Sequence, residues 1–147
     1  EIEITETALM DDLIVMQRAF DDLRAHGFRL AIDDFGTGYS SLLYLKNFPI
    51  QTVKLDQSFV RDLPENTASA EISSMTAAIC KRMNYRAVAE GVETPEAEAL
   101  VRDLGFDVGQ GYLYAKPMSA TDLTAWMHRY RENRTTSLGP VTPGNGP

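Results

Sequence analysis

The stretch Leu30-Ala31-Ile32-Asp33-Asp34-Phe35-Gly36-Thr37-Gly38-Tyr39-Ser40-Ser41 carries the main signals for the fold and the functional site of this chain. Apolar residues that are typical of a buried strand lead directly into two adjacent carboxylates, and a turn with two glycines follows. In α/β proteins, an acidic pair at the end of a strand and beside a glycine turn is a common place for a divalent metal next to a phosphate. The stretch therefore predicts a strand that ends at a functional site.

On both sides of this stretch, strand-like and helix-like segments alternate. The predicted strands lie at residues 1–5, 28–34, 52–56, 86–90 and 106–112. Apolar residues recur with period two at residues 1–5 and 52–56, whereas Leu30-Ala31-Ile32 is a continuous apolar run. Helical patterns or caps predict helices at about residues 9–26, 41–45, 68–83, 94–104 and 119–130. The predicted caps are Ser40 or Ser41, Thr94, and Ser119 with Asp122, and a loop with Pro64 and Asn66 is predicted after the strand at 52–56. Strict alternation predicts parallel strands joined by helices, in either a barrel or an open sheet.

Composition narrows the class of protein. The chain has 147 residues, 44% of them hydrophobic, which is ample for one packed domain. Its formal net charge of -7 disfavours a DNA or RNA polymer as a partner, because such binders usually carry a basic face. Cys80 is the single cysteine, which excludes an intrachain disulfide and favours a reducing compartment. With no apolar run near 20 residues, we expect a cytoplasmic protein.

Each predicted strand carries a polar side chain at or near its carboxyl end. These residues are Glu3, Asp33 and Asp34, Lys54 and Asp56, Glu90, and Gln110. The carboxyl ends of parallel strands meet at one edge, where barrel enzymes have their active sites. Taken singly, each residue also fits a surface, turn or ion-pair role, Lys54 with Asp56 for example. Their repetition at successive strand ends favours a shared site.

The chemistry of this set predicts a site for divalent cations. Several carboxylates in one pocket require compensating positive charge. Ligands that are all oxygen point to Mg²⁺ or Mn²⁺ rather than to a zinc thiolate site. Adjacent Asp33 and Asp34 suit two cations, with one carboxylate bridging them. Lys54 would stabilise charge on a phosphoryl group, and Glu90 would accept a proton or bind a cation.

Five motifs, in family order, resemble those of the EAL-domain family, phosphodiesterases that hydrolyse cyclic di-GMP to linear pGpG. The motifs are Glu3-Ile4-Thr5-Glu6, the stretch 33–42, Val53-Lys54-Leu55-Asp56-Gln57-Ser58-Phe59-Val60, Ala89-Glu90-Gly91-Val92-Glu93-Thr94 and Gln110-Gly111-Tyr112-Leu113. The resemblance implies that residues 1–131 are the carboxyl-terminal portion of an EAL domain, a partial (β/α)8 TIM-like barrel. Residues 132–147, rich in Thr, Gly and Pro, are expected to be a disordered tail.

The resemblance also implies roles for the acidic residues and the lysine. Glu3 and Asp33 would bind the first of two Mg²⁺ or Mn²⁺ ions, and Asp33 and Asp34 would bind the second. Lys54 would contact the attacking water, and Glu90 would act as general base or as a further ligand.

A second set of residues is implied to support the site. Asp56 and Gln110 match polar positions of the active site. Glu6 and Glu93 match residues that hold the Asp-Asp-Phe-Gly loop in its productive shape, with Gly36 and Gly38 in the loop itself. The same loop region is implied to form a homodimer.

One departure from the family is large. The family's Glu-Ala-Leu signature, which lies ahead of the position of Glu3, is absent, and so is the asparagine that accompanies it. Both are expected upstream of residue 1. Sensor or cyclase domains and any membrane anchor are also expected there. We therefore expect this chain alone to bind metal weakly and to hydrolyse little or no substrate. The alternatives are a degenerate cyclic di-GMP receptor or protein-interaction domain, which the intact acidic residues disfavour, and an unrelated phosphate-binding barrel.

Overall fold

Five parallel strands form one sheet in the computed structural model of the chain, which describes residues 1–10, 13–38, 42–63 and 65–137. The strands are β1 (Ile2–Thr5), β2 (Leu30–Phe35), β3 (Thr52–Leu55), β4 (Arg86–Glu90) and β5 (Val108–Gln110), and the order in the sheet is the order in the chain. Parallel neighbours need a crossover connection, which the intervening helices supply. The predicted α/β class, with five parallel strands alternating with helices, is confirmed.

The helices largely follow the predicted pattern. They are a short 3-10 helix, Glu6–Met10, then α1 (Leu13–Ala25), α2 (Leu42–Asn47), α3 (Gln57–Asp62), α4 (Thr67–Met83), α5 (Pro95–Asp103) and α6 (Ala120–Ser137). The start of α5 is as predicted, because Thr94 Oγ1 accepts a hydrogen bond from the Ala97 amide at 3.1 Å and Pro95 follows the cap. The predicted caps Ser40 and Ser41 lie outside the described residues.

Two elements differ from the prediction. The segment after β3 was expected to be a loop but contains α3, whose six residues are too few to show helical periodicity. Its first turn is fixed by Asp56, whose carboxylate accepts a hydrogen bond from the Ser58 amide at 2.9 Å. Strand β5 has three residues instead of the seven predicted. It stops where Gly111 packs directly on the backbone of Val92.

One face of the sheet is apolar and packs against helices. Leu30, Ile32 and Val53 are at most 1% exposed and belong to one cluster with residues of α1, α2 and α4. Leu55 and Ala89 belong to a second cluster with residues of α3 and α5. Full burial of each large side chain stabilises the fold by roughly 2 kcal/mol. Cys80 is buried in the first cluster, where burial and then the charge of Asp107 raise the pKa of its thiol to about 12.

The other face of the sheet carries the polar residues. Side chains alternate between the faces of a strand, so the apolar residues Ile32 and Val53 leave their polar neighbours on the opposite side. Facing positions in neighbouring strands share a face, and Glu90 faces Gln110 in the register of β4 and β5. The fold thus separates an apolar face, which builds the core, from a polar face that ends at one rim.

The chain divides into two compact units, residues 1–115 and 116–147. In the second unit, Ser119 caps α6 as predicted, because its Oγ accepts a hydrogen bond from the Asp122 amide at 3.2 Å and donates one to Asp122 Oδ2 at 2.7 Å. The helix continues to Ser137. The division into residues 1–131 and a disordered tail at 132–147 stays a prediction. Residues 138–147 lie outside the described part. None of the described helices is long and apolar enough to span a membrane.

Candidate active site

Lys54 lies at the centre of a group of carboxylates at the carboxyl end of the sheet. Its Nζ atom is 2.8 Å from Glu90 Oε1 and 2.9 Å from Asp33 Oδ1. The same atom is 3.1 Å from Glu3 Oε2. Because the lysine side chain is only 7% exposed, its charge requires partners, and it finds them on three other strands. The lysine therefore ties β1, β2 and β4 together at the rim.

A β-bulge at the end of β2 places both aspartates on the site. Ile32 faces Val53 and Phe35 faces Leu55, so three steps along β2 lie beside two steps along β3. Asp34 adopts a left-handed backbone conformation with a φ of 54°, which is uncommon for residues other than glycine. Successive side chains of a regular strand point to opposite faces. The bulge instead allows the carboxylates of Asp33 and Asp34 to approach each other.

Asp33, Asp34 and Glu90 form a group that fits a divalent cation. One carboxylate oxygen from each of them lies within 4.8 Å of the others. Carboxylate oxygens are the ligands that Mg²⁺, Mn²⁺ and Ca²⁺ prefer. Glu3, which was predicted as a ligand, is about half exposed and is linked to this group through Lys54. The structure thus brings together the predicted metal ligands and both predicted catalytic residues.

The electrostatics of the group favour added positive charge. Burial raises the pKa of Asp34, and the charges of Asp33 and Asp56 raise it further against the effect of Lys54. Burial also raises the pKa of Glu90, although its hydrogen bond with Lys54 opposes the shift. Burial alone would lower the pKa of Lys54, but hydrogen bonds with Glu90, Asp33 and Glu3 outweigh it and raise the pKa above its usual value. The hydrogen bonds with the carboxylates therefore keep Lys54 charged at the centre of the group.

Glu6 holds the first part of the glycine loop after β2. Its side chain is 2% exposed, and Oε2 accepts hydrogen bonds from the amides of Gly36 at 3.0 Å and Gly38 at 3.2 Å. A Cβ atom on Gly38 would lie 3.3 Å from the Glu6 carboxyl carbon, which explains why a glycine suits this position. The second Glu6 oxygen has no hydrogen-bond partner among the described residues. These contacts agree with the expected support of the loop.

A cavity of about 260 Å³ opens beside the carboxylates, between the ends of β4 and β5. Its walls include three of the predicted site residues, Glu90, Glu93 and Gln110. Glu93 was expected to support the loop after β2. In the described part of the chain, Glu93 lines this cavity. Gln57, which opens α3, also contributes to the wall and was missed at the sequence level. The sequence did contain one indication of this helix, because aspartate is a common N-cap residue and Asp56 directly precedes α3.

Asp56 both caps helix α3 and affects the electrostatics of the acidic group. Its carboxylate caps α3 through the Ser58 amide, and its charge still contributes to the raised pKa of Asp34. The ion pairs of Lys54 are with Glu3, Asp33 and Glu90. The structure therefore gives Asp56 the role of a helix cap at the edge of the acidic group.

The triplet Glu98-Ala99-Leu100 in α5 has the same three residues as the family signature. Glu98 Oε1 accepts hydrogen bonds from Arg102 at 3.1 Å and from the Tyr114 hydroxyl at 3.3 Å. Its place in a helix, after the acidic loop rather than ahead of Glu3, distinguishes it from the signature.

Comparison with known proteins identifies the family. A family model described as the EAL domain matches residues 1–117. The chain belongs to the EAL domain family. This EAL chain is 40% identical over 131 residues to the cyclic di-GMP phosphodiesterase NbdA of Pseudomonas aeruginosa, covering 89% of the chain and 17% of that protein. It is 37% identical over 130 residues to the cyclic di-GMP phosphodiesterase PdeR of Escherichia coli, covering 88% and 20%.

Solved structures agree with the family. The EAL domain of Mycobacterium smegmatis DcpA matches with a TM-score of 0.80 and 35% identity, over 86% of this EAL chain and 57% of that chain. A PaMucR phosphodiesterase in complex with c-di-GMP matches with a TM-score of 0.79 and 40% identity, over 82% and 49%. Klebsiella pneumoniae BlrP1, in a manganese and cy-diGMP complex, matches with a TM-score of 0.75 and 35% identity, over 79% and 30%. The predicted fold class and family resemblance are thereby confirmed.

Proposed function

We propose that this EAL chain contributes the acidic half of a site that hydrolyses cyclic di-GMP to linear pGpG with two Mg²⁺ or Mn²⁺ ions. The observation that carries the proposal is Lys54, held at 3.1 Å or less by carboxylates of three strands, beside Asp34. The names of NbdA and PdeR as cyclic di-GMP phosphodiesterases support the substrate. The manganese complex of BlrP1 supports the type of cation.

The roles of the residues follow from their positions. Glu3, Asp33 and Asp34 would hold the cations. When bound, the cations supply positive charge to the phosphoryl group and lower the pKa of water. Lys54 would contact the attacking water and supply a fixed positive charge that stabilises the negative charge growing on the phosphate during the reaction.

Glu90 is suited to receive the proton of the attacking water. Burial raises the pKa of its carboxylate, which makes it a better base than an ordinary glutamate. The water oxygen forms a bond to phosphorus, the bond from phosphorus to the 3′ oxygen breaks, and the leaving oxygen takes up a proton. Linear pGpG, with its 5′ phosphate, is the product of this cleavage.

The supporting residues complete the proposal. Gln110 and Glu93 would line the nucleotide side of the site, Asp56 would fix the start of α3, and Glu6 would hold Gly36 and Gly38 in place. The homodimer through this loop region, the upstream domains and the cytoplasmic location remain predictions. The low activity expected of the isolated chain also remains a prediction, and it has a physical basis: β1 and β5 each have one neighbouring strand among the described residues.

The substitution Asp33→Asn tests the function in the full-length protein. It keeps the shape of the side chain and removes the charge, so we expect the formation of pGpG with Mn²⁺ or Mg²⁺ to fall by about 10²-fold or more. The exposed Asp103→Asn at the end of α5 is the matched control and should retain the wild-type rate.

Two results would contradict the proposal. An unchanged rate in the Asp33→Asn variant would show that the assignment of the cation ligands is wrong. Tight binding of cyclic di-GMP by the wild-type protein, without any hydrolysis in the presence of either cation, would support the receptor instead.

A further inference from the structure

Helix α3 lies against both turns that follow the acidic strand ends. The first turn follows Asp33 and Asp34 and passes through Gly36, which has a φ of +100°. The second follows Glu90 at once and passes through Gly91, which has a φ of +72°. Both values lie in the left-handed region that favours glycine. The same short helix therefore borders the two segments that determine where the carboxylates lie.

The contacts between α3 and these turns leave no room for a side chain. A Cβ atom on Gly36 would lie 2.7 Å from Cε2 of the Phe59 ring. A Cβ atom on Gly91 would lie 2.5 Å from Cβ and 3.1 Å from Cα of Gln57. Van der Waals contacts between carbon atoms are optimal near 3.5 to 4.0 Å. The main chain of each turn is thus packed directly on the helix.

The helix itself is firmly anchored. Val60 is fully buried, and Leu63 just beyond the helix is 6% exposed in the same apolar cluster as Leu55 and Ala89. Phe59 packs against this cluster from the side. The helix begins directly after β3, the strand that carries Lys54, and the Asp56 amide donates to the Phe35 carbonyl at 3.3 Å. A rigid support therefore connects the lysine strand to both acidic turns.

We propose that Phe59 is a positioning residue for the cation site. Its ring, held by the core, blocks the turn at Gly36 from moving towards α3 and so fixes Asp33 and Asp34 relative to Lys54. Gln57 confines the Glu90 turn in the same way through its Cα and Cβ atoms. The role of Phe59 in cation binding rests on the proposed function, whereas its role in fixing the turn does not.

The experiment compares Phe59→Ala, Phe59→Leu and Val60→Ala in the full-length protein. Val60 is the matched control because it belongs to the same helix and is buried in the cluster that Phe59 packs against, whereas the three atoms nearest to a Cβ on Gly36 all belong to Phe59. Hydrogen exchange of the Gly36 and Gly38 amides, followed without added metal, reports the turn directly. We expect about tenfold faster exchange in Phe59→Ala, a smaller increase in Phe59→Leu, and no selective increase in Val60→Ala.

Hydrolysis provides the second measurement. In Phe59→Ala the Mn²⁺ concentration for half-maximal turnover should rise by about 10-fold or more, while KM for cyclic di-GMP at saturating Mn²⁺ changes little. Exchange at these amides that is unchanged in Phe59→Ala, or equally faster in Val60→Ala, would overturn the positioning role. If the exchange results are as expected but the wild-type protein hydrolyses nothing, the positioning of the turn stands and the proposed function fails.

Discussion

The carboxyl ends of β2 and β4 both place a carboxylate beside Lys54, but different contacts hold the turns that follow them. Each strand delivers a carboxylate to Lys54, Asp33 at 2.9 Å and Glu90 at 2.8 Å. Each then turns at a left-handed glycine that packs on α3. Up to this point the two ends are equivalent, and α3 and the lysine serve both.

The difference lies in what holds each turn. The β2 end is irregular, with a bulge and a left-handed Asp34, and the side chain of Glu6 holds its amides. The β4 end keeps a regular register up to Glu90 and Gln110, and backbone hydrogen bonds continue it, with the Val92 amide donating to the Gln110 carbonyl at 3.0 Å. Single side chains therefore control the β2 end, whereas main-chain packing controls the β4 end.

The largest effect is expected from Lys54→Met, which removes the cation that both ends share. Without it, the carboxylates of Glu3, Asp33 and Glu90 lose their common hydrogen-bond donor, and the site loses its fixed positive charge. The rate of cyclic di-GMP hydrolysis at saturating Mn²⁺ should fall by about 10³-fold. The exposed Lys81→Met is the control, and equal rates in the two variants would remove Lys54 from the mechanism.

The substitution Gly91→Ala tests whether packing controls the β4 end. Gly105 is a close match, with a φ of +90° but no atom within 4 Å of a Cβ, so backbone strain is similar in both variants. The contact with Gln57 should make Gly91→Ala about 2 kcal/mol more destabilising than Gly105→Ala, measured by urea unfolding. Equal losses would mean that α3 does not confine this turn.

The smallest effect is expected from Glu6→Gln, which tests side-chain control of the β2 end. The amide oxygen can still accept from one or both glycine amides, but the charge is lost, so the free energy of unfolding should fall by about 1 kcal/mol. Glu98→Gln, which weakens an ion pair with an exposed arginine, should cost less than about 0.5 kcal/mol. The comparison of the two ends would be wrong if Glu98→Gln cost as much as Glu6→Gln.

Much of the site could be predicted because its information is local. Apolar residues define the strands, alternating with polar ones in β1 and forming a continuous run in β2. A polar residue at or near the end of each strand marks the common rim, as for Glu3, Lys54 and Glu90. The parallel order then brings distant residues together without further detail. The same reasoning failed where a contact depends on the pairing register of two strands or on a helix too short to show periodicity.

The bulge at Asp34 is an example. A bulge is defined by how β2 pairs with β3, and the sequence of one strand does not contain that pairing. Helix α3 is another, since six residues carry too little periodicity and the nearby Asn66 indicated a turn. The hydrogen bonds of Glu6 join residues 30 or more positions apart, and the resemblance to EAL domains, rather than any local pattern, pointed to them.

The charge of the strand-end site has a consequence for the order in which ligands arrive. Glu3, Asp33, Asp34 and Glu90 face one cation, Lys54, so the formal charge of this group is strongly negative. A nucleotide with two phosphodiester groups is repelled by such a site at short range, while divalent cations are attracted. We therefore expect ordered binding, in which cations associate first and convert an anion-repelling rim into an anion-attracting one.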